Sequence, residues 1–490
     1  MPAVATDFET VIGLEVHCQL MTKSKMFCGC STDYSGAEPN THVCPVCLGL
    51  PGTLPVINEK AIEYIVMTGL ALHSTISNFS KFDRKNYPYP DLMKGYQISQ
   101  YDLPVCVGGW LEVEADGQPP RRLGITRVHM EEDTARLMHR VDAATSEGYS
   151  LVDVNRSGTP LMEIVSEPDM RTPGEAREYL VRLRQILRYI GVSEANMEDG
   201  NFRCDANISL RPPGQKEFGA KVEVKNMNSF RAVHDALVFE QKRQAQVLNE
   251  GGVIPQETRG WVDERGETVS QRSKEMAHDY RYFPEPDLPP LTLDAAFVER
   301  VRAQLPELPE ARKRRLIALG LSEHEATTLS ESRERADYYD AARGALGEMT
   351  GRGAKVAANW VLGEALRWCN ASGKEISELP VGAAALAELI MLVEQKTITA
   401  AVGKEVFEQM AATGKDAKSI VEKGGLAAIS GTDELTEIVG NVIAANEKAV
   451  ADFRAGKEAS IGFLLGQVMK QTKGRANPQV AQELIRRELS

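Results

Sequence analysis

The sequence predicts an α+β protein in which a mostly antiparallel sheet domain with helices is followed by all-helical segments. Residues 11–20, VIGLEVHCQL, alternate apolar and polar side chains, which is typical of a half-buried strand. NFRCDANISL and KVEVK alternate in the same way, and the turn-rich RPPGQKEFG between them predicts a β-hairpin. After EPDLPPLTL, near residue 294, the sequence becomes rich in Ala, Glu and Leu with helical periodicity.

The change of pattern along the chain predicts three domains. These are a catalytic cradle domain over residues 1–294, a helical domain over 295–408 and a helical tail domain over 409–490. The Pro-rich LPELPEARKRR at 305–315 marks the start of the helical part, and QMAATGKDA at 408–416 supplies the second boundary.

Two helices are predicted within the sheet domain. The first has Thr172 as its N-cap, Pro173 as its first residue and Gly191 beyond its end, which are the residue types favoured at those places. The second can start at Asn228 and stops at Gly251.

The composition is that of a globular protein without a membrane-spanning segment. Of 490 residues, 42% are hydrophobic and 26% are charged, and no apolar run approaches the ~18 residues that a bilayer crossing needs. The N-terminal MPAVATDFET lacks the features of a secretory signal, so a cytoplasmic location without membrane association is expected. The net charge of −12 argues against non-specific nucleic-acid binding by the surface as a whole, although it leaves room for a local basic surface.

Four of the eight cysteines are closely spaced. Cys28 and Cys30 form a C-x-C pair, and Cys44 and Cys47 form a C-x-x-C pair after thirteen intervening residues. Paired thiolates separated by a loop can close a tetrahedral sulfur shell around zinc, and four protein ligands make such a site structural. The alternative is a set of free buried thiols.

Carboxylates are dense in three segments of the predicted sheet domain. The first segment, HMEEDTAR, holds Glu131, Glu132 and Asp133. The second, GTPLMEIVSEPD, places Glu163 in an apolar context, where a charge needs a partner. The third, MEDGNFRCD, holds Glu198, Asp199 and Asp205. Together with Glu15 and His17 they predict an oxygen-rich Mg2+ or Mn2+ site, with ordinary surface charge as the alternative for each acid taken singly.

The predicted hairpin has one strongly polar face, which carries Arg203, Asp205, Glu223 and Lys225 among others. Such a face is either solvated or the floor of a site for phosphates and carboxylates. The chain has no GxxxxGK[ST] loop and no GxGxxG turn, so ATP chemistry would need another cradle. The candidate cations for that cradle are Lys81, Arg84, Lys85, Arg203 and Lys225.

Long, ordered motifs give the sequence a resemblance to the B-subunit family of the bacterial aspartyl/glutamyl-tRNA amidotransferases. These motifs are VIGLEVH, KFDRKNYPYPDLMKGYQISQYDLP, HMEEDTAR, DVNRSGTPLMEIVSEPD, MEDGNFRCDANISLRP, KVEVKNMNSFRAV, DYRYFPEPDLPPL and the tail GFLLGQVMKQTKGRANPQV. The resemblance implies that Glu-tRNA(Gln) and Asp-tRNA(Asn) are amidated to Gln-tRNA(Gln) and Asn-tRNA(Asn). ATP would phosphorylate the side-chain carboxylate, and ammonia would then displace the phosphate.

The resemblance also assigns site residues by motif position. The implied Mg2+ ligands are Glu15, His17, Glu132 and Glu163, with Glu131 as the alternative to Glu132 because strand register decides which acid points inward. The predicted catalytic set is Glu132 and Glu163 together with three residues that rest on the polar face of the hairpin instead, Asp205, Arg203 and Lys225. The predicted nucleotide contacts are Arg84, Lys85, Arg203 and Lys225. The four cysteines match a zinc position that some family members keep.

The partners follow from the same resemblance. The chain lacks a Ser/Lys amidase signature and a well-placed glutaminase cysteine, so ammonia is expected from a separate amidase subunit, with a small third subunit completing a heterotrimer. tRNA(Gln) or tRNA(Asn) is expected to contact the tail through Lys470, Lys473 and Arg475, for which a solvated helix face is the alternative. A non-discriminating aminoacyl-tRNA synthetase is a further expected partner.

Two other interpretations fit the residues less well. A non-catalytic tRNA-binding scaffold would have no use for a clustered metal site. The archaeal glutamate-only relative carries a synthetase-like inserted domain, but here EPDLPPLTL runs directly into the helical region around 295–310. The sequence therefore disfavours that relative.

Overall fold

The computed structural model describes residues 8–142, 145–273, 280–347, 352–429 and 432–489. They form two compact units, Met1–Leu308 (unit 1) and Pro309–Ser490 (unit 2). The N-terminal segment used for the location prediction lies largely outside the described residues, and the cytoplasmic location stays a prediction. Among the described helices, none has both the length and the apolar character that would let it cross a membrane.

Unit 1 contains all the strands of the described residues. They are β1 (Glu9–Gln19), β2 (Thr75–Ile76), β3 (Phe79–Ser80), β4 (Asp83–Asn86), β5 (Tyr96–Ser99), β6 (Cys106–Val107), β7 (Trp110–Val113), β8 (Arg121–Glu132), β9 (Arg136–Val141), β10 (Gly148–Asp153), β11 (Pro160–Ser166), β12 (Phe202–Arg211), β13 (Val222–Lys225), β14 (Glu257–Val262), β15 (Glu267–Ser273), β16 (Phe283–Pro284) and β17 (Leu291–Thr292). Its helices are α1 (Glu59–Ala71), α2 (Pro173–Tyr189), α3 (Phe230–Asn249) and α4 (Ala295–Arg302).

A ten-stranded sheet dominates unit 1. Its order is β15-β14-β13-β12-β1-β11-β8-β6-β2, with β7 attached to β8. All its pairings are antiparallel except β13 with β14. The α+β class and the mostly antiparallel sheet are therefore confirmed.

The apolar side of β1 faces the core that α2 and α3 help to form. Ile12, Leu14 and Val16 are buried together with Leu180 of α2 and Leu237 of α3. Burying each such side chain contributes about 1.5–3 kcal/mol, and a one-residue slip would turn the whole set outward. Packing on this side therefore fixes the register, and the register fixes which polar side chains share the opposite face.

Both predicted helices of the sheet domain are present. Thr172 caps α2 by accepting a hydrogen bond from the Glu175 N–H (3.0 Å), as predicted. The first residue of α3, Phe230, lies two residues after the predicted start, Asn228. Ser229 caps this helix, since its hydroxyl accepts a hydrogen bond from the Ala232 N–H (3.0 Å).

Unit 2 is helical throughout its regular structure in the described residues. Its helices are α5 (Pro309–Ala318), α6 (Glu323–Leu329), α7 (Arg333–Leu346), α8 (Gly353–Trp360), α9 (Leu366–Ser372), α10 (Ala383–Glu394), α11 (Ala400–Thr413), α12 (Ala417–Gly424), α13 (Thr432–Ala445), α14 (Glu447–Arg454), α15 (Ala459–Gln471) and α16 (Pro478–Leu489). Short 3₁₀ and π turns are Ile376–Glu378 and Val361–Ala365.

The predicted domain borders agree only in part with the helices and apolar cores of the structure. α4, which follows residue 294, contributes Val301 to the core of unit 1. The border between 408 and 409 falls inside α11, although unit 2 does hold two separate apolar cores, one before and one after residue 428. The three-domain division stays a prediction.

Candidate active site on the open sheet face

Strand register brings polar side chains from β1, β11 and β8 to one place. His17 lies directly opposite Glu163 in the β1–β11 pair, and Glu163 lies opposite His129 in the β11–β8 pair. Directly opposed residues project from the same face of a sheet, and Glu131 follows His129 by two residues on that same face. The four side chains therefore converge.

The convergence is close enough for a shared cation. One ligand atom from each of His17, Glu131 and Glu163 lies within 4.8 Å of the others; we call these three residues the carboxylate cluster. The His17 Nε2 atom is 3.2 Å from Glu163 Oε2 and 3.9 Å from Glu131 Oε2. Two carboxylates and one imidazole are a donor set that suits Mg2+ or Mn2+.

His129 is a member of the site that the sequence analysis missed. Its Nε2 atom is 3.5 Å from Glu131 Oε1 and 3.6 Å from Glu163 Oε2, and its Nδ1 atom is buried without a hydrogen-bond partner. The sequence does contain a sign of this role, because residues 129 and 131 are two apart on one strand and therefore project from the same face.

The cluster is electrostatically balanced by cations. Lys85 Nζ lies 3.6 Å from Glu131 Oε1, and Ser99 Oγ donates to the same oxygen (2.8 Å). Burial would raise the pKa of Glu131, but the Lys85 ammonium and the two imidazoles outweigh it and hold that pKa well below its usual range. The pKa of Glu163 is lowered against burial by the charge of His129 and the hydrogen bond from His17. Both acids are therefore ionised at neutral pH.

Glu132 points to the other side of β8, away from the carboxylate cluster. Its Oε1 atom accepts hydrogen bonds from Lys94 Nζ (2.6 Å) and from the Ile98 N–H (3.0 Å). It lines a cavity of about 220 Å³ together with Cys28 and Cys47. The structure thus joins the alternative acid, Glu131, to His17 and Glu163, and separates the implied ligand Glu132 from them.

Glu15 lies on the same face of the sheet as His17 and Glu163, which we call the open face, but it is not part of the carboxylate cluster. It is opposite Asp205 in the β1–β12 pair, and its Oε1 atom accepts a hydrogen bond from Asn207 Nδ2 (2.8 Å). Lys225 Nζ binds Asp205 Oδ2 at 2.6 Å and lies 3.3 Å from Glu223 Oε1. These residues form a second band of charge on the same face.

Arg203 joins this band to the carboxylate cluster. It lies opposite His17 in the β1–β12 pair, and its Nη2 atom donates to Asp133 Oδ1 (3.0 Å). Asp133 is buried and also accepts from Gln19 Nε2 (2.7 Å). In the sequence, Asp133 stands only as one of the row of acids in HMEEDTAR.

Arg84 and Lys81 are engaged with acids of their own. Arg84 makes a two-pronged ion pair with the buried Glu285, with both N–O distances at 2.7 Å. Lys81 Nζ lies between Asp83 (2.5 Å) and Asp102 (2.7 Å). A nucleotide phosphate would have to compete with these carboxylates, whereas Lys85 already faces the carboxylate cluster.

The four predicted zinc ligands meet in the segment between β1 and α1. One sulfur atom from each of Cys28, Cys30, Cys44 and Cys47 lies within 4.8 Å of the others, and the Cys44 and Cys47 sulfurs are 3.9 Å apart. Tetrahedral Zn–S bonds of about 2.3 Å require sulfur–sulfur distances of about 3.8 Å, so the spacing fits zinc. We call these residues the cysteine cluster.

Within the cysteine cluster the surroundings favour the thiolate of Cys47, whereas hydrogen bonding to Cys47 and burial raise the pKa of Cys28, and burial and the Cys44 hydrogen bond raise that of Cys30. A hydrogen bond from the Cys28 thiol lowers the pKa of Cys47, and burial opposes this shift. The Cys44 backbone N–H and the Lys25 ammonium add to the lowering, so that the pKa of Cys47 falls to about 4. Lys25 is itself buried, and its ammonium donates to the His42 carbonyl (2.8 Å). The Lys25 charge thus stabilises a thiolate at Cys47.

The predicted tail contacts lie at the end of α15 and just beyond it. Lys470 and Lys473 are exposed. Arg475 is half-buried and donates to the carbonyls of Gly425 (3.1 Å) and Thr472 (3.3 Å). The two lysine side chains are therefore accessible, while Arg475 is used mainly to hold the turn.

Two family models match the chain. The GatB/GatE catalytic domain model matches residues 10–299, and the model described as the GatB domain matches residues 345–489. The first match contains the carboxylate and cysteine clusters, and the second contains the tail lysines.

Curated relatives match the chain over nearly its full length. Proteins named as the B subunit of aspartyl/glutamyl-tRNA(Asn/Gln) amidotransferase are 59% identical over 490 residues in Dehalococcoides mccartyi, 56% over 484 residues in Thermomicrobium roseum and 54% over 486 residues in Carboxydothermus hydrogenoformans. Each of these alignments covers 99% of this chain and 99% of the relative.

Proposed function

The chain belongs to the B-subunit family of the aspartyl/glutamyl-tRNA(Asn/Gln) amidotransferases, and we propose on this basis that its open sheet face activates the side-chain carboxylate of Glu-tRNA(Gln) and Asp-tRNA(Asn). Membership makes it one component of a multi-subunit, tRNA-dependent amidotransferase, an enzyme of the ligase class. The observation that carries the proposal is the convergence of His17, Glu131 and Glu163 on that face.

The chemistry requires activation because a carboxylate is a poor electrophile. A carboxylate oxygen of the substrate attacks the γ-phosphorus of ATP, the bond from that phosphorus to the β,γ-bridging oxygen breaks, and ADP leaves. Ammonia then attacks the acyl carbon, inorganic phosphate departs, and loss of a proton from nitrogen leaves the amide. Both transfers depend on positioning and on neutralising phosphate charge rather than on a covalent bond to the protein.

The carboxylate cluster supplies the metal ligands in this proposal. A bound divalent cation, Mg2+ or alternatively Mn2+, would neutralise charge on the transferring phosphate. His17, Glu131 and Glu163 would hold it, while Lys85 and His129 keep the acids ionised and oriented. Glu131 replaces Glu132 as the proposed ligand because β8 directs only Glu131 to this face.

The second band of charge is proposed to position the reacting groups. Arg203 and Lys225 are cations on the open face beside the cluster, and each is aligned by an acid, Asp133 and Asp205 respectively. Guanidinium and ammonium groups held in place are suited to phosphate oxygens. Together with Lys85 they form the proposed nucleotide contacts.

The cysteine cluster is proposed to hold a structural zinc ion. Four thiols complete a tetrahedral shell and leave no ligand position for a substrate. The site would fix the long connection between β1 and α1, on the opposite side of β8 from the carboxylate cluster.

The remaining components of the reaction come from partners. We propose that a separate amidase subunit releases ammonia and that a small third subunit completes the heterotrimer. tRNA(Gln) or tRNA(Asn) would place its acceptor end on the open sheet face, with Lys470 and Lys473 contacting its phosphates. A non-discriminating aminoacyl-tRNA synthetase would deliver the misacylated tRNA.

The test uses the complete heterotrimer with Glu-tRNA(Gln), ATP and Mg2+, and it supplies ammonium chloride instead of glutamine. Omitting glutamine removes the contribution of the amidase partner, so the product reports on this chain. Glu131→Gln is expected to bind tRNA normally but to form neither ADP nor Gln-tRNA(Gln). Normal ADP and Gln-tRNA(Gln) formation by this variant would contradict the proposal and favour a non-catalytic tRNA-binding scaffold.

A further inference from the structure

Two tyrosines form a stacked pair beside the open sheet face. The rings of Tyr101 and Tyr282 are nearly parallel, with an interplanar angle of 12° and a centroid distance of 4.3 Å. Tyr101 nevertheless keeps 53% of its surface exposed. Since Tyr282 covers one side of the Tyr101 ring, the exposed area includes the other side, which is a flat aromatic surface open to a ligand.

The backbone of Tyr101 is held in place from two directions. Its N–H donates to the buried Asp83 carboxylate (3.0 Å), and its carbonyl accepts from Arg127 Nη1 (3.3 Å). Arg127 lies on β8, two residues before His129 and on the same side of that strand. Tyr101 is therefore fixed to β8, the strand that contributes Glu131 to the carboxylate cluster.

Further aromatic contacts lead from this pair to the cluster. Tyr280 lies 6.1 Å from Tyr282 by ring centroids, and Lys85 Nζ is 5.2 Å from the Tyr280 ring. That same Nζ atom is 3.6 Å from Glu131 Oε1. Burial raises the pKa of Tyr282 to about 12, with the Lys85 charge opposing the shift and those of Glu131 and Glu163 adding to it, which agrees with a hydroxyl close to the cluster.

We propose that the outer side of Tyr101 is a stacking platform for a nucleobase when the carboxylate cluster is at work. The inference rests on the proposed function, which requires two adenosine-containing substrates at this face, ATP and the terminal adenosine of the aminoacyl-tRNA. Every base offers a flat π surface, and base–aromatic stacking is a recurrent means of holding single nucleotides. The shared chemistry is an adenine ring, and its two sources are separated by experiment.

The experiment compares Tyr101→Ala, Tyr101→Phe and Tyr101→Trp in the heterotrimer, with ammonium chloride as the nitrogen source. KM is measured separately for ATP and for Glu-tRNA(Gln), together with kcat. Tyr101→Ala is expected to raise one of the two KM values about tenfold, equivalent to about 1.4 kcal/mol, with kcat retained. Tyr101→Phe and Tyr101→Trp are expected to restore it, because both keep an aromatic ring.

The substrate whose KM rises identifies the source of the adenine. A higher KM for ATP assigns the adenine to ATP, provided that inorganic tripolyphosphate, which has no base, still inhibits the variant as strongly as it inhibits the unmodified chain. A higher KM for Glu-tRNA(Gln) assigns the terminal adenosine. Phe218→Ala is the matched control, since Phe218 is an exposed aromatic residue (59%) in the turn between β12 and β13.

Two results would overturn the platform while leaving the proposed function intact. One is unchanged KM values for both substrates in Tyr101→Ala while Glu131→Gln remains inactive. The other is a loss in Tyr101→Phe as large as that in Tyr101→Ala, which would show that the hydroxyl matters and the ring does not. If Glu131→Gln is fully active, the proposed function itself fails.

Discussion

The carboxylate cluster and the cysteine cluster lie on opposite sides of β8, and the chain assembles them in different ways. The four cysteines come from one segment, residues 28–47, and their order along the chain already suggests the cluster. His17, Glu131 and Glu163 come from three strands that are far apart in sequence. Their meeting depends on the register of two strand pairs.

The difference teaches which properties each cluster can have. Thiols within one irregular segment suit a closed, soft-ligand site that stabilises its surroundings. Acids and imidazoles on the open face of a sheet, with Lys85 and Arg203 beside them, suit a hard cation that meets a charged substrate. We therefore expect changes in the first cluster to alter stability and changes in the second to alter turnover.

The largest effect is expected for Glu163→Gln. This change removes one negative ligand from the carboxylate cluster but keeps the size of the side chain. We expect kcat for ammonium-dependent amidation to fall roughly a thousandfold, about 4 kcal/mol, because neutralising phosphate charge is the cluster's proposed task. ADP release from ATP in the presence of Glu-tRNA(Gln) measures it.

Glu167→Gln is the matched control for this prediction. Glu167 follows the end of β11 and accepts a hydrogen bond from Thr126 Oγ1 (2.8 Å) outside the cluster. Its kcat should remain close to that of the unmodified chain. Equal activity of the two variants would remove Glu163 from the catalytic account.

The second prediction concerns Cys47→Ser, which removes one thiolate from the cysteine cluster. We expect zinc to be lost and the first thermal transition to fall by about 5 °C, since about 3 kcal/mol corresponds to that shift for an unfolding entropy of about 2.1 cal/mol/K per residue over roughly 300 residues. Zinc content and thermal unfolding are measured on the same samples. A zinc-free variant with an unchanged Tm would show that the metal does not support the fold.

Activity separates the two clusters further. At a temperature well below its unfolding transition, Cys47→Ser should keep kcat within about threefold of the unmodified chain, a change of less than about 0.7 kcal/mol in the barrier. A thousandfold loss under those conditions would place the cysteine cluster in the catalytic machinery and end the distinction drawn above.

Sequence patterns predicted the cysteine cluster well because its information is local. They also predicted the alternating strands and the cap at Thr172, because apolar alternation and capping chemistry act over a few residues. They did not separate Glu131 from Glu132, since adjacent residues exchange faces with a one-residue shift in register. That choice is made by packing, in which Val128 and Met130 are buried and Glu131 lies on the other side of the strand.

The third prediction is a moderate loss for Arg203→Lys. The change keeps the positive charge but replaces a guanidinium that donates to Asp133 and lies beside His17. We expect kcat/KM to fall about tenfold, the equivalent of about 1.4 kcal/mol, because a lysine cannot reproduce the fixed geometry of two donors. Steady-state amidation with ammonium measures the effect.

Arg211→Lys provides the control for that change on the same strand. Arg211 has the same parity as Arg203 on β12 but pairs with Glu9 (2.8 Å), at the far end of the strand. No loss of kcat/KM is expected for this variant. Similar losses in both would point to a general effect on β12 rather than to a role in the site.

The smallest effect is expected for Glu132→Gln. A glutamine carbonyl can still accept the hydrogen bonds from Lys94 and from the Ile98 N–H. We expect kcat to change by less than about threefold, and Tm by no more than about 2 °C, as for a loss near 1 kcal/mol in a unit of roughly 300 residues. A large loss of kcat with a normal Tm would return Glu132 to the list of metal ligands.

The measurement that tests the central claim most directly is Mn2+ binding to the heterotrimer. Electron paramagnetic resonance monitors this binding for the unmodified chain and for the Glu131→Gln and Glu132→Gln variants. The account predicts that Glu132→Gln binds Mn2+ like the unmodified chain and that Glu131→Gln binds it at least about tenfold more weakly, a difference of about 1.4 kcal/mol. The opposite order, or equal binding by both variants, would contradict the assignment of the cation to the open sheet face.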